Sequence, residues 1–92
     1  MAEYRNGLER LEGHKQANAH IQRYSDGIIQ LWSYRTMILE YNTREKTIHC
    51  TGLYSMTTRK HIGWFMNQFF NNKYNYHDIK YIYNNNLSLL IL

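Results

Sequence analysis

The sequence predicts an α+β domain: an antiparallel β-meander of three to five strands with one amphipathic helix packed on one face. Three observations predict it. Ile62, Phe65, Met66 and Phe69 recur at helical spacing between Thr57 and Phe70, which makes one face of that segment apolar. The run Ile28 to Tyr41 is long and rich in β-forming residues, with strand-like alternation before and after it. Polar turn signals separate these runs, Tyr24-Ser25-Asp26-Gly27 first and Asn42 to Lys46 second. Ninety-two residues make a single domain with room for one helix-on-sheet core.

In chain order, residues 1–16 carry only Leu8 and Leu11 as apolar anchors, with Gly7 and Gly13 nearby. Such a segment fits a short helix or a loosely docked arm. Residues 17–54 read as the meander. Ala17, Ala19 and Ile21 alternate with Asn18, His20 and Gln22, and Asp26-Gly27 closes the first hairpin because glycine takes positive φ without penalty. In the strand from Ile28 to Tyr41, Trp32, Tyr34, Thr36 and Ile38 share one side, and Leu31, Ser33, Arg35, Met37 and Leu39 the other. The Tyr34/Thr36/Ile38 side is expected to meet the helix. Thr47 to Tyr54 forms the third strand.

Residues 57–70 are the helix, with Thr57 or Ser55 as N-cap and Asn71-Asn72 as its left-handed stop. Residues 76–92 read as a C-terminal strand, Tyr76 to Tyr83, followed by a turn and the apolar tail Leu87 to Leu92. A free apolar tail is a liability, so it is expected to pair with a sheet edge or to bury across a homodimer axis. The expected buried set is Tyr34, Ile38, Ile48, Ile62, Phe65 and Phe69.

Composition narrows the function classes. Apolar residues make up 43% and aromatics 15%, enough to exclude a disordered chain. The single cysteine, Cys50, excludes an internal disulfide and fits a reducing cytoplasm. The first twenty residues are polar, so no secretory leader is expected, and the longest apolar run, Leu89 to Leu92, is too short to span a membrane. Charge is uneven. Residues 1–45 carry six basic and six acidic side chains, whereas residues 46–92 carry Lys46, Arg59, Lys60, Lys73 and Lys80 against Asp78 alone. A basic half with interleaved aromatics suits an acidic partner, whether nucleic acid or an acidic protein face, and excludes mimicry of DNA charge.

Candidate chemistry is thin. His49, Cys50, His61 and His77 lie in one half, but no zinc-type spacing occurs, and neighbours His49 and Cys50 point to opposite faces of a strand. Nucleophilic catalysis would need Cys50, Ser55 or Thr57 beside a histidine held by a third group. His61 lies one turn beyond Thr57, yet no acid partner or oxyanion motif accompanies them, so a capping hydroxyl and a packed histidine explain the pair better. There is no glycine-rich phosphate loop, and neither a cofactor nor an enzymatic activity is expected. The residues best suited to bind a partner are Arg59, Lys60, Trp64, Lys73 and Lys80.

Two segments carry a family resemblance. Ser33-Tyr34-Arg35-Thr36-Met37-Ile38 resembles an S-Y-x-T-x-V pattern, and Tyr54 to Ile62 resembles Y-S-x-T-T-x-R-H-I. Together they are similar to a family of small phage and prophage proteins of unknown function. The second segment departs from the pattern where Lys60 precedes His61 in place of arginine. The resemblance implies a phage or mobile-element origin, a strand–strand–helix core and no enzyme activity. By analogy with other very small phage proteins it implies an anti-defence inhibitor of the anti-CRISPR type, acting stoichiometrically on a host CRISPR effector or its guide complex. The alternative is a phage accessory protein that binds nucleic acid through the basic half.

Overall fold

The fold is seen in a computed structural model, which describes residues 9, 10, 19–53 and 55–91. It is α+β, with a six-stranded antiparallel sheet in sequential order and two helices. The strands are β1 (Glu9–Arg10), β2 (Ala19–Arg23), β3 (Ile28–Ser33), β4 (Thr36–Asn42), β5 (Thr47–Cys50) and β6 (Leu89–Leu90), and the helices are α1 (Met56–Phe70) and α2 (Tyr76–Asn84). Strands β2 to β5 are the expected meander, and the two-residue strands β1 and β6 pair along its edges. Apart from β1, the short helix or arm expected over residues 1–16 lies outside the described residues.

The β2–β3 hairpin turns where the sequence places it. Gly27 has φ +88°, and a Cβ there would lie 2.8 Å from Thr43 Oγ1, so both conformation and space require glycine. Thr43 Oγ1 fills that space and donates to the Gly27 carbonyl at 2.6 Å.

The long strand expected from Ile28 to Tyr41 is two strands. It folds back on itself at Tyr34-Arg35, with Ser33 paired to Thr36 across the turn. No Gly, Asn or Asp marks this turn, which is why the sequence hides it. Tyr34 instead takes φ +55°, a left-handed conformation that tyrosine adopts only under constraint. Its side chain, expected in the core, is 57% exposed. In β3 the core-facing side is the opposite one to that expected, with Ile29, Leu31 and Ser33 turned inward, whereas Ile38 in β4 is buried as expected. Ile21 pairs with Leu31, Leu31 with Leu39, and Tyr41 with Ile48, and all of these line the helix side of the sheet. A register shift beside Leu31 and Trp32 gives β4 one extra residue, which brings consecutive Ile38 and Leu39 both into the core.

Helix α1 lies across β3, and its apolar face supplies Ile62, Phe65 and Met66, all fully buried. Ser55 is the N-cap, its Oγ accepting from the Thr58 amide at 3.2 Å, and Asn71 ends the helix at φ 53°. Phe65 stacks against Phe69 at 4.6 Å, while Tyr41 meets Phe70 at 4.9 Å from the sheet. Phe69, expected to be buried, is half-buried at the rim.

Residues 76–84, expected as a strand, form α2. The deciding signal is local: Asn75 and Asp78 make a reciprocal capping box, with Asn75 Oδ1 accepting from the His77 and Asp78 amides and Asp78 accepting from the Asn75 amide. Ile79 and Ile82, three apart, are then the buried pair. Helix α2 covers β5 and returns the chain to the sheet edge. The tail pairs there as expected, with Ile91 donating its amide to the Lys46 carbonyl at 2.8 Å, and Leu89 and Ile91 pack on the core. Leu87 and Leu90, however, are 48% and 59% exposed, so only alternate residues of the tail are covered.

Two expectations about stability follow. Phe65→Ala should lower the unfolding free energy by about 3–5 kcal/mol, and Phe69→Ala by clearly less, because only the first ring is fully enclosed. Denaturant titration checks this, and equal losses would contradict the packing. Tyr34→Gly should leave the fold as stable or more so. It relieves strain of order 1–3 kcal/mol against an added unfolded-state entropy of about 0.4–1 kcal/mol. A lower midpoint in thermal unfolding would show that the tyrosine ring contributes more than its backbone costs.

Candidate functional site

Five residues were expected to form one partner-binding face: Arg59, Lys60, Trp64, Lys73 and Lys80. The structure joins two of them. Arg59 leaves the first turn of α1 on the flank that meets α2, and its guanidinium carbon lies 4.8 Å from the centroid of the Tyr76 ring. Lys80 follows Tyr76 by four residues and therefore stands one turn along the same side of α2. Arg59, Tyr76 and Lys80 thus form a row across the two helices. Tyr83, seven residues after Tyr76 and 41% exposed, continues this stripe of α2, whereas Tyr81, 62% exposed, points about 100° away from Lys80. Asp78 lies two residues before Lys80, and its carboxylate accepts from the Asn75 amide at 2.9 Å to close the α2 cap.

The other three residues lie around this row. Lys60 is exposed and points about 100° round α1 from Arg59. Trp64 sits on the far flank, half-buried, with its ring 5.3 Å from that of His61. Lys73 belongs to the α1–α2 connection, 5.7 Å from the Tyr74 ring. Arginine and lysine in the first turn of α1, where acidic residues are absent, oppose the helix dipole.

The residues weighed for catalysis and metal binding fall in separate places. His61 faces the sheet and not Thr57, and its Nδ1 lies 2.7 Å from Ser33 Oγ. Ser33 and His61 are 4% and 2% exposed, so this hydroxyl–imidazole pair joins α1 to the end of β3 out of reach of solvent. Cys50 is in the core, where burial pushes its thiol above the ordinary range and keeps it protonated at neutral pH. His49 is exposed beside it, and His77 is exposed on α2. Among the described residues, no group of three or more His, Cys, Asp or Glu side chains is placed to hold a metal ion.

A second feature, at the β3–β4 hairpin tip, escaped the sequence because the turn itself did. A cavity of about 360 Å³ is lined by His20, Gln22, Trp32, Tyr34 and Arg35. It adjoins another of about 520 Å³ formed by His20, Tyr34, Arg35 and Thr36. Trp32 is held by a relay: its indole N–H donates to Gln30 Oε1 at 3.0 Å, and Gln30 Nε2 donates to Glu40 Oε1 at 3.0 Å. The two segments that carry the family resemblance meet here, since Ser33 belongs to one and His61 to the other.

No helix among the described residues is long and apolar enough to cross a membrane. No curated protein and no solved structure matches the chain. A family model does, over residues 7–82, a span wider than the two resembling segments and one that takes in the meander, α1 and most of α2. The chain belongs to that family, DUF8033, a family of unknown function.

Proposed function

We propose that this protein is a non-catalytic binding module whose outer helical surface docks on an acidic face of a partner protein. The observation that carries this is the row Arg59–Tyr76–Lys80, continued along α2 by exposed Tyr83. Tyrosine and arginine dominate the energetics of protein interfaces, because they combine large contact area with directional polar groups. The cations steer an acidic partner toward the surface and penalise a basic one.

In its specific form, the partner is a component of bacterial immunity, a CRISPR effector or its guide complex, and the chain is a phage-encoded inhibitor. Support comes from the resemblance to small phage proteins, the size of the domain and the stoichiometric mode of action that a binding surface implies. The second candidate is direct nucleic-acid binding by the same helical surface, favoured by the same basic residues.

The test compares wild type with Arg59→Glu/Lys80→Glu as baits in lysate from a CRISPR-bearing host, with circular dichroism confirming that both are folded. Wild type should retain a defence nuclease or its guide complex, and the charge reversal should weaken retention at least about tenfold. Wild type retaining no defence component would overturn the inhibitor, and equal retention by both would overturn the surface. If the reversal instead abolishes steeply salt-dependent binding to bare DNA or RNA, the nucleic-acid alternative holds.

A further inference from the structure

We infer that the β3–β4 hairpin tip is a second, independent binding site, one that takes unpaired nucleotides of a single-stranded nucleic acid. The strained backbone at Tyr34 is the starting point. A tyrosine at φ +55° in a two-residue turn is disfavoured where glycine or asparagine would serve the fold better, and its ring is 57% exposed. Strain kept at an exposed side chain marks a position whose side chain is needed for something other than folding.

The surroundings specify the ligand. The Tyr34 side chain is 57% exposed, and Arg35 beside it places a permanent cation at the same tip. Trp32, opposite His20 in the strand register, adds a second flat surface whose orientation Gln30 fixes. The Glu40 carboxylate on this side of the sheet is engaged by Gln30, which draws it toward the relay. Flat rings for stacking with a cation at hand are the chemistry that holds an unpaired base and its phosphate. Two hollows of about 360 and 520 Å³ share His20, Tyr34 and Arg35 in their lining, which leaves space beside these side chains for an unpaired base. The formal net charge of +4 favours a polyanion generally.

Fluorescence anisotropy with short labelled oligouridylate and oligothymidylate tests this. Wild type should bind, and Tyr34→Gly should bind about tenfold more weakly or worse, the loss expected for one stacked base. Tyr34→Phe, which keeps the ring, should retain affinity. Arg35→Gln should reduce the slope of log affinity against log salt by about 0.7, one phosphate contact on a single strand. The effect of Tyr34→Gly should be the same in an Arg59→Glu/Lys80→Glu background, which separates this site from the helical surface. The inference is overturned if wild type binds neither oligonucleotide, or if Tyr34→Gly binds like wild type. It is equally overturned if a duplex or a free mononucleotide binds as tightly as the single strand.

Discussion

The hydrogen bond between Ser33 and His61 is the constraint on which the arrangement of both surfaces depends. Burial of Ile62, Phe65 and Met66 holds α1 to the sheet, but apolar contact is non-directional and tolerates more than one helix rotation. A polar pair at 2.7 Å, 4% and 2% exposed, does not. Turning α1 away would break this buried hydrogen bond, at a net cost of about 0.5–1.5 kcal/mol. The bond therefore selects one rotation. In that rotation Trp64 lies beside His61 on one flank, and Arg59 reaches Tyr76 on the other.

The same bond anchors the hairpin tip. Ser33 is the last residue of β3, immediately before Tyr34, and the His61 ring lies 6.2 Å from the Tyr34 ring. A turn with poor intrinsic preference is thus attached to the core through the residue next to it. Strained backbone persists where its surroundings over-determine it, and the Ser33 contact with the Ser33–Thr36 pairing supplies that. The two resembling segments are far apart in sequence and adjacent in space because each contributes one half of this bond.

Most of the architecture was legible in the sequence where a local signal had a physical mechanism behind it. Asp26-Gly27 announced its hairpin, and Ile62, Phe65 and Met66 announced α1 by their spacing. Ser55 capped that helix and Asn71 ended it as short polar side chains can. Legibility failed where the signal was missing or ambiguous. Tyr34-Arg35 carries no turn residue, so two strands read as one, and the resulting misphasing put Tyr34 on the wrong side. In Tyr76 to Asn84, Ile79 with Tyr81 and Tyr83 satisfies a two-residue period, while Ile79 with Ile82 satisfies a helical one. Nine residues are too few to separate these, and the capping box upstream decided it. The basic residues and Trp64 were expected to share one face, but in the tertiary structure Arg59 meets Tyr76 between the two helices while Trp64 packs beside His61 on the other flank of α1.

The most direct test of this account is a double-mutant cycle on Ser33→Ala and His61→Phe, read by denaturant unfolding. If the pair sets the position of α1, each single substitution removes a buried hydrogen bond and destabilises by about 0.5–1.5 kcal/mol or more. The double variant should then lose clearly less than the sum, with a coupling of about 0.5 kcal/mol or more. Additive losses would show that the helix is positioned by apolar packing alone and that the bond is incidental.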